Sequence, residues 1–386
     1  MTHVIVVGAG PVGLTAALAL ARKGVKVTVL EAGEGLAAES RASTFHPPTL
    51  EMLAGLGVLD ELMERGLVSP TFAYRDRQEG LIAELDLGLL EQDTPYPYRV
   101  QCEQSKLTPI LLAHLAAHPQ CEVRFGWPIE QVSQTDDLVT VATADGRTAS
   151  AEWVIGADGA NSAIRRGLDF GFDGITYPER FLVASTREDL PALIPGLAAV
   201  NYVFDPVEWA VLLQTPDHWR VLLPTPEETA DEVELARLDE RLRAIVDPGR
   251  PWDVAHYSIY RVHQRVASTF RLGRVLLAGD AAHINNPLGG LGMNSGIHDA
   301  MAYAEAFDPA APDVAALDAA ATKRRDIALS FVQKVSHGNY QKMSATDPAA
   351  RKAHLDELRA IGADPVRGRQ YLLNSSMINS LRPVAA

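Results

Sequence analysis

The segment Gly8-Ala9-Gly10-Pro11-Val12-Gly13 constrains this chain more than any other. It stands directly after the β-branched run Val4 to Val7 and opens the stretch Pro11 to Lys23, rich in helix-favouring Ala and Leu, which stops at Gly24. Lys26 to Leu30 then returns to strand character. A strand, tight turn, helix and second strand predict parallel strands joined by a crossover, hence a sheet covered on both faces. Each glycine of the GxGxxG spacing has its own function. Gly8 permits the turn, Gly10 lets backbone approach a pyrophosphate, and Gly13 lets helix and strand pack closely. Pro11 and Val12 begin the helix whose first amides would hold the anion. Glu31, just past the second strand, can accept hydrogen bonds from a ribose and would repel a ribose phosphate. The unit therefore reads as dinucleotide-binding, and by itself it does not separate a nicotinamide from a flavin.

Two later runs repeat the pattern of a strand ending in a Gly/Asp turn: Trp153 to Gly156 before Asp158-Gly159, and Arg274 to Ala278 before Gly279-Asp280. Between them the texture changes. Residues from about Phe72 to Tyr98, and from about Thr176 to Phe270, carry Trp209, Trp219, Trp252, many Tyr and several Pro in alternating stretches such as Trp219 to Leu223. These are read as one inserted antiparallel sheet. Helical spacing follows Asp299, including Thr322 to Val335 and Pro348 to Ile361 with Gly362 as the stop, while the Pro and Ala cluster from Pro309 to Ala321 reads as a linker or loop. The expected fold is α/β: a Rossmann-like cofactor domain (1–71, 99–175, 271–320), an inserted antiparallel β-sheet substrate domain (72–98, 176–270) and C-terminal helices (321–386).

Charge narrows the partners. The chain has 386 residues, 35 basic against 49 acidic, for a net charge of −14, which disfavours nucleic acid and anionic lipid. Only Cys102 and Cys121 occur, without a CxxC pair or a Cys/His cluster, so neither a disulfide framework nor a metal site is expected and a reducing cytoplasm fits best. The apolar N-terminal run carries its basic residues after it and is broken by glycines, the reverse of an export signal. No other apolar stretch has the length of a membrane span.

The runs Val154-Ile155-Gly156-Ala157-Asp158-Gly159-Ala160-Asn161-Ser162-Ala163-Ile164-Arg165 and Gly273-Arg274-Val275-Leu276-Leu277-Ala278-Gly279-Asp280-Ala281-Ala282-His283 resemble the second and third signatures of the flavoprotein aromatic monooxygenases related to 4-hydroxybenzoate hydroxylase. With the GxGxxG unit this makes three ordered motifs across most of the chain. The resemblance implies that family's FAD-binding fold, with NADH or NADPH as transient co-substrate. It assigns Asp280 to the ribityl chain, a role a carboxylate in a Gly-flanked turn suits chemically. It places the amides of Gly292, Met293 and Asn294, at the start of the next helical run, at the flavin pyrimidine edge, where they would stabilise negative charge. Arg41 in Ser40-Arg41-Ala42-Ser43 matches an arginine along the pyrophosphate, Gln104 a glutamine touching the cofactor, and Asp158 a residue near the pyrophosphate implicated in handling the donor. Pro48 and Asn161 stand where basic residues are usual. Arg165 reads equally as an ion-pair partner of Asp158 or an exposed helix residue.

The implied chemistry is hydroxylation of a small electron-rich aromatic, a phenol or hydroxypyridine, by NAD(P)H and molecular oxygen through a flavin hydroperoxide. The protein then needs to bind the ring beside the flavin and exclude water, and any base would act on the substrate hydroxyl. Pro287, by its carbonyl, and Tyr202 and Arg220 on the inserted sheet are the candidate ring-pocket residues, with Trp209, His218 and Trp219 also to be placed. Arg220 would suit a substrate carboxylate or a surface ion pair. His283 is expected to be structural, and His46 and His256 are weaker candidates still. Two other readings stay open: a reductase or dehydrogenase of the same fold, as in isoprenoid double-bond reduction, and a flavin-binding protein without turnover. A homodimer is the assembly considered.

Overall fold

The computed structural model describes residues 2–38 and 42–382. Its first layer is a six-stranded sheet in the order Arg271–Leu272, Val275–Leu277, Trp153–Gly156, His3–Val7, Lys26–Leu30, Cys121–Arg124. All neighbours are parallel except the Arg271–Leu272 edge, which forms a hairpin with Val275–Leu277. Buried Val, Ile and Leu fill these strands because helices cover both faces. Register positions the site. Val7 pairs with Gly156 and Gly156 with Leu277, so three strands end side by side. The Ala157 amide donates to the Val7 carbonyl at 2.8 Å and the Ala278 amide to the Gly156 carbonyl at 2.9 Å. The three glycine turns thus share the carboxyl edge, where open α/β sheets bind ligands.

The inserted sheet has eight strands and is mixed rather than purely antiparallel. Val200–Phe204 runs parallel to Thr71–Asp76, at the seam where two distant chain segments meet, and no tight turn there enforces an antiparallel pair. Tyr202, Val211 and Leu222 form one cross-strand row and Val200, Leu213 and Arg220 the next, all on one face. Trp219, Val221 and Leu223 point the other way and pack against Leu238 and Leu242 of the helix Leu238–Ile245. The strand Phe172–Thr186 crosses the border drawn at residue 176, because it pairs with Val254–Ala267 from Phe172 onward. A polar three-stranded sheet, Ile129–Gln134, Val139–Thr143 and Thr148–Ala151, completes the cofactor-side layers.

Two tail expectations change. The helix Val314–Ile327 begins inside the Pro and Ala cluster, capped by Asp313, whose carboxylate accepts from the Ala315 and Ala316 amides. It runs through a π-helical segment, Ala328–Gln333, into Lys334–Met343. Gly362 does not stop the helix Pro348–Ala363; a Cβ there would lie 3.0 Å from the Ala83 Cβ, so the glycine permits helix and sheet to approach closely. Asp364 ends that helix and caps the next, Pro365–Ser375. Among the described residues no helix is long and apolar enough to cross a membrane.

Candidate active site

The first two turns touch. Gly8 has φ +105°, and a Cβ on it would lie 2.4 Å from the Ala157 carbonyl oxygen. A Cβ on Gly13 would stand 2.0 Å from the Gly8 carbonyl oxygen, so the helix Pro11–Arg22 can seat on the turn only without a side chain here. Gly10 is the opposite case: a Cβ there meets no atom of the described residues within 4 Å, leaving open space above the helix N-terminus. Glu31 braces this cradle, accepting from the Ala9 amide at 2.6 Å and the Gly33 amide at 2.9 Å. Each carboxylate oxygen keeps a further lone pair for a ribose hydroxyl.

Asp158 sits beside Gly8. Its Oδ2 accepts from the Ala163 amide at 2.7 Å and the Ile164 amide at 3.2 Å, while its buried Oδ1 has no hydrogen-bond partner among the described residues. Burial raises its pKa against the pull of those hydrogen bonds. Arg165 is neither its ion-pair partner nor exposed. The guanidinium is buried, donates to the Ala281 carbonyl at 3.0 Å and the Ala160 carbonyl at 2.7 Å, and lies over the Phe172 ring. It ties the second turn to the third.

The third turn, Gly279–Ala281, leaves the Asp280 side chain exposed. A Cβ on Gly296, one turn into the helix Gly292–Ala306, would meet Val12 Cγ2 at 2.6 Å and Gly279 Cα at 2.9 Å, so the first motif, the third turn and this helix converge at one point. Beneath them lies a charge cluster that sequence reasoning missed. Asp299, fully buried, accepts from the Gly279 amide at 3.1 Å, from His283 Nε2 at 2.8 Å and from Arg324 Nε at 2.7 Å. Burial pushes the Asp299 pKa up, but Arg324 and His283 outweigh it and hold the carboxyl ionised below its ordinary range. His283 is structural, as expected. Only the acid's spacing from His283 and Arg324, 16 and 25 residues along the chain, could have signalled the cluster.

Arg41 lies outside the described residues. The loop after it is anchored by Asn294, whose side-chain amide donates to the Thr44 and Gly290 carbonyls and accepts from the His46 amide and Thr49 Oγ1. The Asn294 side chain is thus spent on the loop, and only its backbone is left for a ligand. The Gln104 amide donates to the Ala42 carbonyl at 3.0 Å, which sets Gln104 against the same loop. Gly292 and Met293 open the helix Gly292–Ala306, whose first-turn amides lack intrahelical acceptors. Beside them, Asn285 Oδ1 is buried without a partner among the described residues.

His298 donates from Nε2 to Thr49, and burial lowers its pKa to about 3. The unfolded chain binds that proton near 6.5 and the folded chain resists it, so stability is full above 6.5 and falls as pH drops toward 3. From this residue alone, lowering the pH from 7 to 5 should cost about 2 kcal/mol. His298→Gln keeps a donor and removes the titration, so urea midpoints at the two pH values should draw together.

Of the candidate ring-pocket residues, Tyr202 is buried on the sheet, 5.4 Å from the stacked Tyr74 ring, within hydrogen-bonding reach of Arg99 and the Gly289 backbone. Arg220 shares its face, two strands and one row away, close enough to Glu103 for that charge to act on it, and burial lowers its pKa. Pro287 closes the glycine loop, its carbonyl accepting from the Gly290 amide at 2.9 Å. Trp219 faces the helix layer on the opposite side and Trp209 packs edge-on against Phe181 in the core. His218 lies in a turn, its carbonyl accepting from Thr215. His46 is buried, with Nε2 on the Gly289 carbonyl and its pKa held well below the usual value by burial and Arg99.

An open cradle at Gly10, an orphaned carboxylate oxygen at Asp158, an exposed Asp280 and a free helix N-terminus together fit a dinucleotide with a polyhydroxyl chain and a hydrogen-bonding ring edge. Comparison with known proteins agrees. The profile of an FAD binding domain family matches residues 1–335. Para-nitrophenol 4-monooxygenase from a Pseudomonas species is 38% identical over 393 residues, covering 99% of this chain and 97% of that protein. A 6-hydroxy-3-succinoylpyridine 3-monooxygenase from Pseudomonas putida is 37% identical, covering 86% of each chain. The crystal structure of p-nitrophenol 4-monooxygenase from Pseudomonas putida superposes with a TM-score of 0.93 at 36% identity, over 99% of this chain and all of the other.

Proposed function

The chain belongs to the FAD-binding family of aromatic monooxygenases, and on that premise we propose that it hydroxylates a small phenol or hydroxypyridine held between the Tyr202 face of the inserted sheet and the Pro287 loop. It is an FAD-dependent monooxygenase using NAD(P)H; its relatives favour that activity over a reductase or a flavin protein without turnover. Bound FAD supplies the two-electron exchange with NAD(P)H and the activation of dioxygen. The observation that carries the substrate reading is the shared face: Tyr202 meets the glycine loop at Gly289 while Arg220 stands two strands and one row away, within range of the Glu103 charge.

The residues divide the work. Gly8, Gly10, Pro11, Val12 and Gly13 form the pyrophosphate cradle, Glu31 takes the adenosine ribose, and Asp280 takes the ribityl hydroxyls. Gly292, Met293 and Asn294 offer backbone amides to negative charge at the ring edge, and Gln104 and Asp158 flank the cofactor. Arg41 would lie along the pyrophosphate. The residues 1–71, 99–175 and 271–320 serve as the cofactor domain and 72–98 with 176–270 as the substrate domain. Tyr202 hydrogen-bonds the substrate oxygen, Arg220 receives a polar or acidic substituent, and the Pro287 carbonyl orients the ring.

Asp280→Ala should reduce FAD retention at least about tenfold, since a methyl group cannot replace a carboxylate that accepts from several hydroxyls. Flavin content per chain after gel filtration checks it, and a fully flavinated, active variant would remove Asp280 from the site. The activity itself is tested by screening phenols and pyridinols for accelerated NAD(P)H consumption. Stimulation that yields hydrogen peroxide alone with every compound would overturn the hydroxylase reading.

A further inference from the structure

Arg99 is a buried charge with little compensation around it. It is 2% exposed, yet no carboxylate lies within ion-pair distance of it among the described residues. Its Nε–H has no acceptor there, and its one side-chain donation to backbone, from Nη2 to the Ser375 carbonyl, is long at 3.4 Å. A guanidinium stays protonated and carries five donors, so burying it without an anion is costly. The Phe72 ring, 4.0 Å from the guanidinium carbon, compensates part of the charge. The rest of its surroundings are neutral: Tyr202 and Tyr74 on the sheet, Tyr371 on the helix Pro365–Ser375, and His46 on the cofactor-side loop. Glu357 acts on Tyr371 from farther out, half exposed and beside His354.

A second orphan stands on the same strand. Gln101 Oε1 accepts from Thr44 Oγ1 at 2.8 Å, leaving the buried Gln101 Nε2 without an acceptor. Arg99 and Gln101 are two residues apart on the strand Arg99–Gln101, so their side chains leave the same face. That strand is held on both sides, by Thr44–Phe45 and by Leu67–Ser69, and it leads directly into Gln104. These are two buried donors of fixed position that no anion among the described residues meets, a pairing suited to an anionic oxygen.

We propose that Arg99, with Gln101 beside it and Tyr202 reaching from the sheet, makes this site select the ionised form of its phenol by facing the ring oxyanion with a buried, otherwise unpaired cation. This rests on the hydroxylase reading and adds the charge state of the substrate to it. Ionisation is also what raises the electron density of the ring for attack by an electrophilic oxygen, so selection at binding prepares the reaction. A neutral ether of the same shape would leave the cation unanswered and lose its advantage.

The test uses the flavin-loaded enzyme and two probes of one skeleton, 4-nitrophenol and 4-nitroanisole, with binding read from the perturbed absorption of bound FAD. The wild type should bind the phenol at least about tenfold more tightly than the ether. Arg99→Met should bring that ratio close to one, and Arg99→Lys should restore most of it, which a purely structural role would not produce. Arg99→Met that keeps its FAD and the full preference overturns the proposal. Should Arg99→Met fail to fold, the wild type still decides, because 4-nitrophenol reports its own ionisation by its colour. Below the solution pKa of the free phenol, the bound probe should be the ionised form, and a neutral bound probe overturns the proposal. A wild type that hydroxylates phenols without charge preference loses this inference alone; one that binds no phenol loses the hydroxylase reading with it.

Discussion

Gly10→Ala should fold as stably as the parent protein and yet come off the column nearly colourless. Gly10 adopts φ −72° and ψ 178°, extended backbone open to alanine, and the added Cβ meets no atom of the described residues within 4 Å. Nothing among the described residues opposes the methyl group. What it fills is the space above the helix N-terminus proposed for the pyrophosphate, so the expected loss is at least about tenfold in FAD affinity. Gly13→Ala makes the contrast, since its Cβ would stand 2.0 Å from the Gly8 carbonyl oxygen and helix or turn must move. That variant should lose both stability and flavin. Thermal unfolding and flavin titration on the pair separate a binding glycine from a packing glycine, and equal FAD affinity of Gly10→Ala and parent would remove the cradle from the site.

The second large effect is expected at Asp299→Asn. The substitution strips the one anion from a cluster in which Arg324 is 2% exposed and His283 1% exposed. An uncompensated buried guanidinium should cost about 3–5 kcal/mol of folding stability. Flavin retention should weaken too, because Asp299 also holds the Gly279 amide that orients Asp280. The double variant Asp299→Leu with Arg324→Met should recover much of the stability, since a buried pair replaced by apolar side chains is often tolerated, but not the flavin retention. Urea unfolding of the single and double variants measures both terms. A single variant as stable as the parent would show that the cluster carries no structural weight.

The legible parts of this fold were the local ones. A glycine turn between a β-branched run and an Ala/Leu helix is written in consecutive residues, and so are the Asp158-Gly159 and Gly279-Asp280 turns. Their meeting at one sheet edge follows once the strands are parallel and neighbouring, as the registers of Val7, Gly156 and Leu277 make them. What escaped depends on long-range pairing. Trp219 and Arg220 are adjacent in sequence and face opposite layers, and only the register with Leu213 and Ser185 tells which is which. Arg99 opens an unremarkable three-residue strand and acquires meaning only when Phe72, Tyr202 and Ser375 close over it from three separate segments. Gly362 looks like a helix stop because glycine often ends helices, but contact with Ala83 explains it instead.

The fate of dioxygen in a single reaction decides whether this chain is a monooxygenase at work. The flavin-loaded protein, supplied with NAD(P)H and an accepted phenol under oxygen-18 gas, should release a product heavier by one labelled oxygen atom. A product whose new oxygen comes from water, or consumption of NAD(P)H that ends only in labelled peroxide for every ring offered, would contradict it.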